Sequence, residues 1–270
     1  MRLSDAGELG LLRELESRRL IEGTEHDAAE LEGGLVVTQD ALVEDVHFTL
    51  DRLSWRELGF RAAAVNISDL SASAARPEAL VVTLGLPGHT EVEDVVELYE
   101  GIAETGVPVR GGDTTRSEKA FLSVTALGRS ERVPGRAGAR PGDLVVVTGP
   151  VGGAGAAFRE GRYVRPPLRT EEGLRLGAVA TAMLDVSDGL AVDAGHIARR
   201  SGCRLALEIE RVPRGGQIAD LGFGEDFELL AATADPLDFT VIGRCEKGEG
   251  VALTLDGEPF ELLGYEHFRS

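Results

Sequence analysis

Residues 183–196 read MLDVSDGLAVDAGH. Asp185 closes an apolar run, Ser187, Asp188 and Gly189 make a sharp turn, and a helix is predicted over 189–201 with Gly202 as its stop. Strand, turn and helix in immediate succession mark a chain that mixes both kinds of element. Asp185, Asp188 and Asp193 crowd this corner, where a side chain is held firmly and still reaches a cleft.

The same mixture extends on both sides. A helix is predicted over 8–20 from Leu9, Leu12 and Leu15, and GLVVTQDAL (34–42) reads as a strand that runs into an acid. Ser54 and Glu57 form a capping box for a helix with Leu58, Ala62 and Val65 on its apolar face, ending in NISDL (66–70). ALVVTLGL (79–86) is a buried strand. Thr90 and Glu93 suggest a second capping box, before a helix that carries Val92, Val95, Val96, Tyr99, Ile102 and Ala103 and stops at Gly106. VPVRGGDTT (107–115) reads as a strand ending in a Gly-Gly turn, and FLSVTALG (121–128) as another strand. SERVPGRAGARPG (130–142), rich in Gly, Pro and Arg, is the predicted boundary between a domain of residues 1–133 and one of residues 134–270. DLVVVTGP, CRLALEIE, FELLAATA, FTVIGRC and GVALTLDG supply strands to the second. Neither half is a clean βαβ series, so the expected class is α+β, with two mixed halves.

Composition narrows the function. The 270 residues, 43% of them hydrophobic, can bury a real core. A net charge of −18 argues against a nucleic-acid partner held through a basic face. Cys203 and Cys245 form no CxxC pair, so neither a disulfide framework nor a zinc site follows. No apolar run reaches a membrane-spanning length, and MRLSDAGELG at the start lacks a signal-peptide core, so a cytoplasmic protein is expected.

Acids recur at the edges of apolar elements: Asp27 in EHDAAE, Asp40 after LVVTQ, Asp69 after a helix, Asp113 after VPVRGG, then Asp185 and Asp188. Each alone is an ordinary turn or cap residue. If they converge they need cations, because like charges about 4 Å apart repel by about 4 kcal/mol at an effective dielectric near 20. Magnesium fits, since it takes carboxylates and leaves positions for substrate phosphates. TGPVGGAGAA (148–157) is glycine-rich but lacks the lysine of a GxxxxGK[ST] loop, and close strand–helix packing is the better account of it. HExxH and GxSxG are absent.

In series, HDAA (26–29), TQDALVEDVHF (38–48), AVNISDLSA (64–72), VRGGDTTRS (109–117), RAGARPGDLVV (136–146), LDVSDGLAVD (184–193), GEDFELL (224–230) and GYEHF (264–268) resemble the thiamine-monophosphate kinases of the aminoimidazole ribonucleotide synthetase superfamily, nearly end to end. The resemblance implies two domains of sandwich type and a homodimer in which the N-terminal halves pair into a sheet barrel. It implies direct, in-line transfer of the ATP γ-phosphoryl group to thiamine monophosphate, with several Mg2+ ions. Asp27, Thr38, Gln39, Asp40, Asp69, Asp113, Asp185 and Asp188 resemble the metal-binding positions. Tyr99, Gly112, Asp113, Arg136 and Ser187 resemble the nucleotide contacts, and Asp113 and Asp188 stand at the chemistry. His47, Glu225 or Asp226, and Tyr265 resemble the thiamine side. Two departures stand out: Glu25-His26-Asp27 replaces the family's usual Gly-Asp-Asp, and only ten residues separate Pro213 from Gly224. They leave open a non-catalytic or retargeted nucleotide-binding homologue.

Overall fold

The computed structural model describes residues 2–21, 26–262 and 264. Two sheets divide the chain. The first holds β1 (Ala29–Leu31), β2 (Leu35–Val43), β3 (Arg76–Leu86), β4 (Val109–Arg116) and β5 (Phe121–Arg129) in the order β1-β2-β5-β3-β4. Its pairs are antiparallel except β3 with β4. The second holds β6 (Leu144–Val147), β7 (Ala180–Asp185), β8 (Arg204–Glu208), β9 (Leu229–Thr233), β10 (Thr240–Glu246), β11 (Gly250–Leu255) and β12 (Glu258–Phe260), in the order β12-β11-β8-β10-β6-β9-β7. The irregular stretch 130–143 connects them. This is an α+β arrangement, and neither sheet closes into a barrel within the chain.

The helices are α1 (Leu3–Ser17), α2 (Trp55–Ala72), α3 (Val92–Ala103), α4 (Gly153–Arg159), α5 (Thr170–Gly177) and α6 (Leu190–Ser201). None is long and apolar enough to cross a membrane among the described residues. α2 is the centre of the molecule. Ser54 caps it, and Glu57 completes the capping box. From Leu58 to Ala72 only Asp69 is not fully buried. A helix buried all round needs neighbours on every side. α2 meets β2, β3 and β5 of the first sheet, and β7, β9 and α5 of the second half. Its small residues Ala62, Ala63, Ala64, Ser68, Ser71 and Ala72 permit this close approach. Leu58, Ile67 and Leu70 anchor the first core, while Ala72 and Ala74 join Met183, Leu176 and Leu229 in a core under the second sheet. The second sheet's other face packs on α6 around Leu184, Leu190, Ile197 and Leu205.

Several boundaries differ from the sequence reading. α1 runs from Leu3 to Ser17 with a break at Gly7, because Arg19 turns left-handed (φ 58°) and stops it before Leu20. Asp69 lies inside the last turn of α2, not after it. The capping box of α3 is Glu91 with Asp94, because Thr90 is spent in a turn closed on the Pro87 carbonyl. The Gly-Gly pair does not turn: β4 runs straight through Gly111 and Gly112, in register with Val81 and Val82. Gly112 (φ 155°) lies so close to the Val82 carbonyl that a Cβ there would overlap it.

α2 and α3 cross through two glycines. A Cβ on Gly59 would overlap the Leu98 carbonyl, and one on Gly101 would overlap that of Arg56. We expect Gly59→Ala and Gly101→Ala each to destabilise the fold by about 1–3 kcal/mol through overpacking. Thermal unfolding followed by the fluorescence of Trp55, the one tryptophan, would show this as a lowered Tm.

Candidate active site

Four acids from four segments converge beside α2. Thr38 and Asp40 lie on the β2 face that packs on the helix, Asp69 in the last turn of α2, Asp27 in the bend before β1, and Asp185 at the end of β7. Asn66, fully buried, locks β2 to α2: its Oδ1 accepts from the Asp40 N–H at 3.0 Å while its Nδ2 donates to the Ala62 carbonyl at 2.9 Å. Thr38 Oγ1 donates to Asp69 at 2.5 Å, and Ser68 Oγ donates to Asp185 at 2.5 Å, so the site straddles both halves. Arg136, from the connecting stretch, donates its Nε to Asp27 Oδ1 at 2.8 Å.

The electrostatics follow from crowding and burial. Burial raises the pKa of Asp69 well above the ordinary carboxylate range, and Asp40, Asp185 and Asp27 add to it by repulsion. Burial, then the charge of Asp27, raises Asp185 to about 7. Asp40 is raised by burial and by Asp27. Asp27 is raised by burial in spite of the Arg136 guanidinium. Carboxylates and a hydroxyl make a donor set of hard oxygens, which suits a divalent cation such as Mg2+.

Next to this cluster the Ser187–Asp188 turn is clamped. Asp193 Oδ2 accepts from the backbone N–H of Ser187 at 3.1 Å and of Asp188 at 3.0 Å. On the other side Glu225 N–H donates to the Ser187 carbonyl at 2.9 Å. Asp188, Asp193 and His196 bring one ligating atom each within 4.8 Å of one another. Burial, reinforced by Arg136, Arg199 and Arg200, lowers His196 to about 4, so its imidazole is neutral near pH 7.

Other expected site residues are placed differently. Gln39 sits on the opposite face of β2 from Thr38 and Asp40, where its Nε2 donates to Ser123 Oγ at 2.7 Å, because successive strand residues alternate faces. Asp113 lies on β4, exposed from Arg110 to Arg116, and no hydrogen bond or ion pair joins it to the other acids among the described residues. Tyr99 helps line a groove of about 300 Å3 with Ala103, Gly106, Val107, Pro108 and Val109, at the foot of β4. His47 holds the turn after β2, its Nδ1 accepting from the Val43 N–H at 3.0 Å. Glu225, left-handed at φ 56°, pairs with the buried Arg61 of α2 at 2.5 Å. Asp226 accepts from the amides of Gly152 (2.6 Å) and Ala154 (3.1 Å) at the start of α4. An internal carboxylate thereby takes up two amides of the glycine-rich turn. Tyr265 and Glu25 lie outside the described residues.

Asn66, Ser68 and Arg61 are site residues that sequence patterns passed over. Reading AVNISDLSA as helix interior would have found two of them, since Asn66 and Asp69 stand three apart and share one side of α2, and Ser68 adjoins them.

A sheet-bearing half lies on either side of a shared helix, with a cluster of carboxylate and hydroxyl oxygens beside that helix and no GxxxxGK[ST] loop in the sequence. Residues 25–130 match the family model of the AIR synthase related protein, N-terminal domain. The chain is 33% identical to the thiamine-monophosphate kinase of Aquifex aeolicus (strain VF5), over 99% of this chain and 100% of that protein. It is 33% identical to the Methanopyrus kandleri (strain AV19) thiamine-monophosphate kinase, over 86% of each. A solved structure of AaThiL complexed with AMPPCP and TMP superposes with a TM-score of 0.89, at 33% identity and 99% coverage of both chains. The chain belongs to the thiamine-monophosphate kinase family.

Because the acids are raised, the folded chain between about pH 4 and pH 7 holds protons that the unfolded chain has released, so stability falls as pH rises through that window. In EDTA we expect Tm to drop from about pH 5 to about pH 7.5, and Asp185→Asn to flatten the drop. Mg2+ should raise Tm more at the higher pH, because it competes with protons for the same oxygens. A Tm that climbs over this range in EDTA would contradict the cluster's electrostatics.

Proposed function

We infer that this member of the family converts thiamine monophosphate to thiamine diphosphate with ATP, and that Asp27, Asp40, Asp69 and Asp185, with Thr38 and Asp188, hold the Mg2+ ions the reaction needs. The observation that carries this reading is the convergence of four buried, mutually repelling carboxylates from four separate segments. Bound Mg2+ supplies charge neutralisation between two crowded phosphate groups. The acceptor is already a phosphate oxygen, so the chain needs no strong general base, and its own work is positioning. The Tyr99 groove offers an apolar slot to a purine base. β4 leads from that groove to Gly112 and Asp113, which face the phosphates. A Cβ on Gly111 would meet nothing within 4 Å, so the surface there is open to a ligand. The Ser187 hydroxyl and the turn's amides meet the transferred phosphate. Arg136 pairs with Asp27, and with Mg2+ held on Asp27 its guanidinium would be available to the nucleotide phosphates. His47, Glu225 and Tyr265 form the thiamine end.

The active form is a homodimer. Val37, Ala41, Val81, Ser123, Thr125 and Leu127 leave the outer face of the first sheet partly or fully exposed, and β4 is an open edge. Open edges and bare sheet faces invite a second sheet. Two copies joined by these faces close the barrel that one chain lacks. A cytoplasmic setting suits the ATP requirement and the two buried free thiols, Cys203 and Cys245.

The test is formation of thiamine diphosphate by purified protein with ATP, Mg2+ and thiamine monophosphate. Wild type should turn over, and Asp113→Asn and Asp188→Asn should each lose at least about 100-fold in rate, on the scale of a lost charge-stabilising group. No product despite Mg2+-dependent ATP binding would mean a retargeted homologue. Sedimentation should show a dimer, and Val81→Asp, placing a charge on the outer face, should yield monomer.

A further inference from the structure

We propose that Asp193 is a positioning residue for the phosphoryl transfer, setting the Ser187–Asp188 turn in the geometry that receives Mg2+ and phosphate. The inference rests on the reading of Ser187 and Asp188 as nucleotide and metal contacts given above.

Asp193 is 3% exposed, and one of its oxygens takes two backbone N–H groups, those of Ser187 and Asp188. An ordinary helix cap does something else. It sits before the helix and satisfies the helix's own first amides. Here the N-cap position is Gly189, which has no side chain to offer, and Asp193 stands a full turn inside α6. Its carboxylate reaches backwards out of the helix, to the two residues whose side chains carry the expected chemistry. The turn is tied from the far side by the Glu225 N–H on the Ser187 carbonyl. It is also confined by Gly189 against the Gly222 carbonyl and by Gly224 against Ser187, where added Cβ atoms would collide with backbone. The Asp193 carboxylate also lies within 4.8 Å of a ligating atom of Asp188 and of His196, but its hydrogen bonds go to the two amides, and without its oxygen both lose their acceptor or rotate to find another. Either outcome moves Asp188 and the Ser187 hydroxyl. Outer residues that orient metal ligands commonly govern affinity and rate by about 10–100-fold.

Geometry and charge separate cleanly at this position. Asp193→Asn keeps an acceptor oxygen for both amides and loses the charge. Asp193→Glu keeps the charge and displaces the oxygen. Asp193→Ala removes both. Purified full-length variants are compared by Tm, by the Mg2+ concentration giving half-maximal activity, by KM for thiamine monophosphate, and by calorimetric binding of AMPPCP with Mg2+. We expect Asp193→Ala and Asp193→Glu to raise the Mg2+ requirement about tenfold and lower kcat by about 10–100-fold, with KM for thiamine monophosphate within about twofold of wild type. Asp193→Asn should recover most of both parameters. If Asp193→Ala does not fold, the contrast between Asn and Glu carries the test. Unchanged Mg2+ dependence in Ala and Glu variants, with only Tm lowered, would reduce Asp193 to a helix-start contact and overturn the proposal. Failure of Asn alongside Ala would overturn it in favour of direct metal ligation. The binding arm needs no phosphate acceptor, so a wild type that binds Mg2+ and AMPPCP but makes no product fails the proposed reaction while still testing Asp193. A wild type that binds neither sinks both readings together.

Discussion

Everything in this molecule answers to one difficulty, the burial of carboxylates against one another. Asp27, Asp40, Asp69 and Asp185 lie where burial and mutual repulsion both oppose their charge. Two such charges about 4 Å apart repel by about 4 kcal/mol even at an effective dielectric near 20. A fold keeps them together only if stronger constraints hold their backbones. Those constraints are visible: nine-residue pairing of β2 with β5, the Asn66 lock between β2 and α2, and a helix packed on all sides. Hydroxyls of Thr38 and Ser68 and the guanidinium of Arg136 relieve part of the charge.

The same economy of anions runs through the glycine-rich turn at the start of α4. The amides of Gly152 and Ala154 go to Asp226, an internal contact of the second half. Glu228 does similar work nearby, accepting from Thr148 and, with both oxygens, from Arg169. Of the acids in GEDFELL only Glu225 is left reaching towards α2, paired with Arg61.

Strands with strong apolar runs were legible from sequence: β2, β3, β5, β6 and β11 fall within a residue or three of their expected positions, because local hydrophobicity dictates them. The acids were legible as a set for a different reason, since polar residues repeatedly ending apolar runs make little sense in a core alone. What could not be read was which face each side chain takes. Gln39 looked equivalent to Thr38 and Asp40, yet strand alternation sends it to Ser123. Asp69 looked like a loop residue because NISDL is polar, and only tertiary packing extends α2 past it to Ala72. The β4 glycines looked like a turn because glycine usually marks one, whereas here the close Val82 carbonyl requires one at Gly112 within a continuous strand.

α2 belongs to both halves at once. Opening the two sheets away from each other like a book would strip water-averse surface from Ala72, Ala74 and Met183 and pull Ser68 off Asp185. The two halves therefore share one packed seam, and the Ser187 corner and the Arg136 stretch are anchored to it rather than carried by either half alone.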